Sequence, residues 1–368
     1  MFIYIFVPFL LTLLAVSFPK MGPRSKSLSI SLTTLLLFVI VAFRGRYVDH
    51  DYRLAYEYFI DHIPDAEYMF RDFSGYLHSL PAPELSFCVL ASLVKSCTCY
   101  VMPVIAFLYA MFAVPIKMKG IRRLTNDDVF GFALLFYFSN LFLLHEMTQI
   151  RAGLAVGLFM CAIPAIHRRQ FARYVLFIAI ASLIHRSAMM ALPLYFLGTK
   201  SINLKLWVGL AVAMFVLALV HYDVVSIILN YNVPVLHHKL VIYSATQDWL
   251  KFEMNLFNVF IFLQFFVALF LYWKRELVAP HCPYFYFALK LNFLSIIVFY
   301  FFSRIPVFAF RLSDFLGCAT IILYPLVYYV LKPRFAGQFL AIGMAWCILL
   351  VNLFHNKLVD SYYMIFFE

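Results

Sequence analysis

Long apolar runs follow one another along this chain, and they leave it few ways to fold. The stretch from Leu206 to Tyr222 holds no Asp, Glu, Lys or Arg, and similar runs recur from end to end. Segments of this kind must satisfy every backbone N–H and C=O internally once they enter lipid, which admits only helices or a closed barrel. A barrel needs strands that alternate apolar and polar residues, whereas these runs are continuous, so the reading is helical. Composition agrees. The 368 residues are 65% hydrophobic and 13% charged, where a soluble domain is about half apolar and about a quarter charged. The expected architecture is all-α: a polytopic integral membrane helix bundle forming one transmembrane domain over 1–368. About twelve spans are expected, allowing for short helices with snorkelling ends. They lie near 2–18, 28–43, 99–116, 129–145, 148–166, 171–185, 188–199, 206–222, 254–273, 284–303, 315–331 and 336–353. The first lacks a basic leader and a clear small-residue cleavage site and is read as a retained span. A shorter apolar piece over 84–96 has the length of a re-entrant or interfacial helix.

Loop charge sets the orientation. Alternate loops carry Lys20, Arg24 and Lys26; Lys117, Lys119, Arg122 and Arg123; Arg168, Arg169 and Arg173; Lys200 and Lys205; Lys274 and Arg275; Lys332 and Arg334. These loops are expected on the cytoplasmic side. The opposite set holds nearly all the acids and two long stretches, 44–84 and 223–253, read as outer, periplasmic loops. Long loops in compact proteins tend to be lids or binding loops. The net charge of +11 is accounted for by orientation, and the chain has neither zinc-finger spacing nor an Arg-rich nucleic-acid motif, so no nucleic-acid partner is expected. The seven cysteines show no metal or redox spacing, and neither a metal nor a cofactor is expected.

Against that frame, Arg44, Arg46, Arg151, Arg186, Arg304 and Arg311 stand out, because all fall at span ends on the outer side, where cations are not favoured. Four places carry them. Phe43 to Tyr52, followed by Tyr56, opens the first outer loop with Arg44, Arg46, Asp49 and Asp51. It reads either as an interfacial anchor or as a phosphate clamp with a carboxylate base. Arg151 begins a helix after the His145–Gln149 turn, where a cation opposes the helix dipole but would join the free N–H groups in holding an anion. His145-Glu146 resembles the start of a zinc motif, but Gln149 occupies the second His position. His185 and Arg186 form a third outer turn, either a simple polar turn or a source of an acid or base. Arg304, Pro306, Arg311 and Asp314 form the fourth, with Arg311 and Asp314 spaced to pair on one helical face.

The same places resemble the EpsG family of bacterial polysaccharide polymerases, related to the Wzy O-antigen polymerases. Phe43, Arg44, Val48, Asp51, Tyr52 and Tyr56 match the family's opening pattern, although Asp49-His50 replaces its Gly-Thr. Glu84-Leu85-Ser86-Phe87 resembles a Glu-Pro-Gly-aromatic element. Ile150-Arg151 with Ala155, His185 with Ser187-Ala188, and Arg311-Leu312 with Phe315 follow in the family's order. The resemblance implies an inner-membrane glycosyltransferase that joins undecaprenyl-pyrophosphate-linked oligosaccharide units at the periplasmic face. Its implied partners are those lipid-linked substrates, membrane lipids and a chain-length regulator. An O-antigen ligase and a lipid-linked oligosaccharide flippase are the alternatives. On this reading Arg151 and Arg311, then Arg44 and Arg304, hold diphosphates, and Asp51 or His185 is the base. Arg46, Tyr52, Tyr56, Glu84, Arg186 and Asp314 contact substrate.

Overall fold

The computed structural model describes residues 1–49, 51–52, 56–80, 84–222 and 254–365. Among these the chain is helical throughout, with no strand and one isolated antiparallel bridge, Arg44 with Met364. The second outer loop, 223–253, lies outside the described residues, as do His50 and Pro81 to Pro83. Among the described residues six helices are long and apolar enough to cross a membrane. A seventh crossing is counted if Arg275–His281 and Phe285–Phe301, bent by 110°, make one span. The remaining expected spans are shorter apolar helices such as Phe171–Ile184 and Leu204–Leu219. The segment expected over 188–199 is a 3₁₀ helix, Arg186–Phe196, with Pro193 inside it. Two compact units are formed, 1–195 with 327–368, and 196–326.

In the first unit, α1 (Phe2–Ser17) and α2 (Pro23–Ala42) are followed by three short helices, α3 (Glu57–His62), α4 (Ala66–Arg71) and α5 (Phe73–Ser79). Next comes α6 (Leu85–Lys95), whose 11 residues reach roughly 16 Å at 1.5 Å per residue, about half of a bilayer core. Then come α7 (Val101–Leu124), α8 (Phe130–Tyr137), α9 (Ile150–His167) and α10 (Phe171–Ile184). Helices α3 to α5 share one apolar core with α6 and the first half of α7, built around Tyr76, Phe87, Cys88 and Ile105. Lys95 adds a polar tie at that core's edge, donating to the C-terminal carbonyls of α3, Ile60 O at 3.3 Å and Ile63 O at 3.0 Å.

Helices α7 and α9 pack closely because small residues face the seam. A Cβ added at Gly157 would lie 3.2 Å from Ile116 and 3.5 Å from the Lys117 nitrogen, and one at Gly120 would lie 3.0 Å from Met160. Later residues of one helix thus face later residues of the other, so the two run in the same direction. The first turn of α9 therefore sits beside the middle of α7.

Beyond Tyr137, α8 widens into a π-helix over Phe138–Glu146. The Met147 and Gln149 amides reach back five residues, to Phe142 O at 3.2 Å and Leu144 O at 2.9 Å. A widened turn loosens the carbonyl ladder, and Asn352 supplies a donor to it, reaching Ser139 O at 2.9 Å and Asn140 Oδ1 at 3.1 Å. Asn352 itself sits in a second π-helical turn, Val351–His355, which ends the helix Arg334–Leu350.

The segment after that turn straps across the chain just after α2. Asp360 N donates to Val48 O at 2.9 Å, Gly45 N to Tyr363 O at 2.9 Å, and Ile365 N to Phe43 O at 3.0 Å. Gly45 is required by this strap, since a Cβ there would overlap the Tyr363 ring.

The second unit is organised around Phe285–Phe301, which packs against Leu204–Leu219 (α11), Val259–Trp273 and Pro306–Leu316. Asn203 and Asn258 cap two of these helices through their side chains, Asn258 accepting from Phe260 N at 2.9 Å and Ile261 N at 3.3 Å. Lys290, inside an apolar helix, donates to Gly198 O at 2.5 Å. A buried polar seam joins Ser295 to Ser313 at 2.9 Å and to Gln264 at 3.3 Å.

One sequence expectation is overturned in the first unit. Lys117 belongs to no loop. Helix α7 continues to Leu124 and buries Lys117 completely against Glu146, Nζ to Oε1 at 2.5 Å. The apolar face runs on through Met118, Ile121 and Leu124 at helical spacing, so the helix does not end where the charges begin.

Candidate functional site

Three distant segments bring Arg151, Glu84 and His185 together. Glu84 is the N-cap residue of α6, where its negative charge suits the helix dipole. Its carboxylate accepts from Arg151 Nη1 at 2.8 Å and faces His185 Nδ1 at 3.4 Å. Arg151 lies in the first turn of α9 and His185 terminates α10, its amide donating to Ala181 O at 2.8 Å. Ser86 Oγ donates to Leu183 O at 2.5 Å, which fixes the start of α6 to the end of α10. The three side chains are 6–12% exposed. An isolated cation at such burial would cost several kcal/mol in desolvation, about the scale the ion pair offsets.

The guanidinium has an aromatic seat. Its carbon lies 4.9 Å from the Phe87 ring centre, 5.4 Å from that of Tyr56 and 5.8 Å from that of Phe59. Burial pushes the Tyr56 phenol up, against the pull of Arg151, so Tyr56 stays neutral and its oxygen accepts from the guanidinium. Arg carries five N–H donors, and Glu84 meets Nη1. The arrangement offers a fixed cation beside a carboxylate–imidazole pair, a combination able to hold an anionic oxygen and accept a proton next to it.

Other residues singled out in the sequence have different surroundings. Arg44 is buried, with Nε donating to Asp49 Oδ2 at 3.1 Å and Nη1 to Val41 O at 2.9 Å. Burial raises the Asp49 carboxyl, with Arg44 pulling it back, and Asp49 also accepts from Tyr52 N at 2.8 Å. The pair thus shapes the loop that delivers Tyr52 and Tyr56, both buried. Asp51, immediately before Tyr52, is half-buried. Arg46 is exposed and forms a fork with Glu57 at 2.5 and 2.9 Å. This fork borders a cleft of about 750 Å³ that Tyr52, Asp61, Lys95 and Tyr100 also line. Arg186 is exposed. In the second unit Arg304 is exposed and donates to His221 O at 3.0 Å. Arg311 and Asp314 are half-buried on Pro306–Leu316, and the ion pair their spacing permits is not formed.

Next to the Arg151 site lies a polar group with no forecast in the sequence. Glu146 Oε1 receives Lys117 at 2.5 Å and the Tyr137 hydroxyl at 3.0 Å, all three fully or almost fully buried. A Cβ at Gly153 would lie 2.9 Å from His145 O and 3.0 Å from Glu146 Oε2, so α9 approaches this carboxylate two residues after Arg151. The only sequence signal was that α7's apolar periodicity continues past Lys117. Among the described residues no group of three His, Cys, Asp or Glu side chains gathers that could hold a metal ion.

The model of the EpsG family matches residues 27–367, nearly the whole chain. No curated protein and no solved structure matches.

Proposed function

This chain belongs to the EpsG family, which supports a membrane polysaccharide-polymerase role, and on that premise we propose that it joins undecaprenyl-pyrophosphate-linked oligosaccharide units on the periplasmic side of the bacterial inner membrane. The observation that carries the reading is Glu84 bridging Arg151 and His185 from three separate segments.

The chemistry assigned to the site is a single displacement. The acceptor sugar's hydroxyl oxygen attacks the anomeric carbon of the donor chain as the bond to the diphosphate oxygen breaks. The electron pair leaves with the polyprenyl diphosphate, and the hydroxyl proton passes to His185. Negative charge grows on the leaving diphosphate, so a preorganised guanidinium stabilises the transition state more than the ground state. Arg151 is assigned this task. Glu84 orients both Arg151 and His185 and stabilises the imidazolium that forms. Asp51 is the alternative base, but His185 has the supporting carboxylate. Displacement from the opposite face inverts the anomeric configuration. Arg311 and Arg304, taken within the second unit by itself, are proposed as diphosphate contacts. The cleft beside Arg46, Glu57 and Tyr100 has hydrogen-bonding forks and aromatic rings suited to sugars, and it falls in the ~300–1,000 Å³ range of ligand pockets. Because Arg44 is committed to Asp49, its role is to hold the loop.

The test is complementation of a polymerase-deficient strain, with surface polysaccharide resolved on a gel. The wild-type chain restores the ladder. Arg151→Ala, at equal membrane abundance, cuts polymerisation by about 10²–10³, the usual effect of removing one charge-stabilising donor, while single repeats still reach the surface. Loss of the single repeats too would indicate a flippase or a ligase. A normal ladder would refute the assignment.

A further inference from the structure

Away from this site, α2 and α7 enclose a groove of about 380 Å³ lined by Ile30, Thr34, Pro115 and Met118, with Lys119, Arg122 and Arg123 at one end. Its wall is apolar in effect, because the Thr34 hydroxyl is turned onto Ile30 O at 2.7 Å. The cations differ in state. Asp127 takes Arg122 at 2.5 Å and Lys26 at 2.6 Å. Lys119 and Arg123 are exposed, one helical turn apart, and among the described residues neither has a hydrogen bond or an ion pair. Two uncompensated charges thus stand at the mouth of an apolar channel, on the end of the bundle that the loop charges assign to the cytoplasmic leaflet.

We propose that this groove binds an anionic phospholipid, its phosphate between Lys119 and Arg123 and its acyl chain along Ile30, Pro115 and Met118. Charge complementarity selects the occupant. A zwitterionic lipid brings its own cation and leaves the two side chains unmatched, whereas phosphatidylglycerol or cardiolipin neutralises them. Basic pockets between membrane helices on the cytoplasmic side take such headgroups. The proposal does not depend on the reaction the protein catalyses.

The experiment is lipid retention. The protein is purified in mild detergent from membranes containing phosphatidylethanolamine, phosphatidylglycerol and cardiolipin, and bound lipid per chain is quantified by mass spectrometry. Lys119→Gln/Arg123→Gln loses anionic lipid by roughly five-fold per cation, the usual scale for a basic residue at an anionic surface, with phosphatidylethanolamine unchanged. Lys119→Arg/Arg123→Lys, which keeps both charges, retains it, and Ile30→Trp, which fills the channel, lowers it. Lys332→Gln/Arg334→Gln, at exposed cations elsewhere on the chain, has no effect. Equal retention by the charge-neutral variant, or equal loss in the Lys332/Arg334 control, overturns the proposal.

Discussion

Glu84→Gln lowers polymer synthesis by on the order of 100-fold while the protein stays in the membrane at normal level. The carboxylate is the shared partner of Arg151 at 2.8 Å and His185 at 3.4 Å. Gln keeps the shape and one acceptor oxygen but removes the charge that holds a guanidinium and an imidazole side by side. Arg151 then loses its fixed position over Phe87, and misplacement by about 1 Å is enough for a 10²-fold effect on a preorganised site. The imidazolium formed on proton transfer also loses its counter-ion. Rates measured in isolated membranes at matched protein abundance supply the check. An unchanged rate would remove Glu84 from the site.

Lys117→Met destabilises the protein by about 3–5 kcal/mol, because it leaves the Glu146 carboxylate buried without its cation. Glu146 is 1% exposed and, among the described residues, retains the Tyr137 hydroxyl at 3.0 Å. The double variant Lys117→Met/Glu146→Leu recovers most of the loss, since two apolar side chains of similar size replace a pair whose desolvation consumed much of its attraction. Activity follows a different course. Glu146 lies against Gly153 on the turn that carries Arg151, and the stabilised double variant shifts that turn and stays slow. Thermal unfolding in detergent, alongside ladder length in cells, reads both effects. Equal stability of Lys117→Met and wild type would mean that the ion pair is not what holds this region.

Helix type and order were legible in the sequence because lipid forces continuous apolar runs into helices, whatever their side chains do next. Span lengths were less so. Reading a hydropathy run stops at the first charge, and Lys117 stopped it seven residues before α7 ends. Its charge is tolerated there only because Glu146 comes from another helix, which is tertiary information. Of the site, the ordered motifs singled out Glu84, Arg151 and His185 separately, and their meeting at one point could not be read from spacing because 34 or more residues separate each in the chain. Arg44 shows the opposite case. A guanidinium at a span end has the same sequence appearance whether it faces a phosphate or a buried Asp49, and the C-terminal strap across Gly45 and Val48 is a contact that spacing does not announce. For Arg311 and Asp314 the i, i+3 spacing permitted a pair that the fold does not make.

As a diphosphate receptor, the Arg151 guanidinium is tested most directly by affinity. The purified protein in lipid nanodiscs is titrated with undecaprenyl pyrophosphate and, separately, with undecaprenyl monophosphate. The wild type prefers the diphosphate, and Arg151→Ala loses that preference while it still binds the prenyl chain. Binding of the diphosphate by Arg151→Ala as tightly as by wild type would contradict the claim.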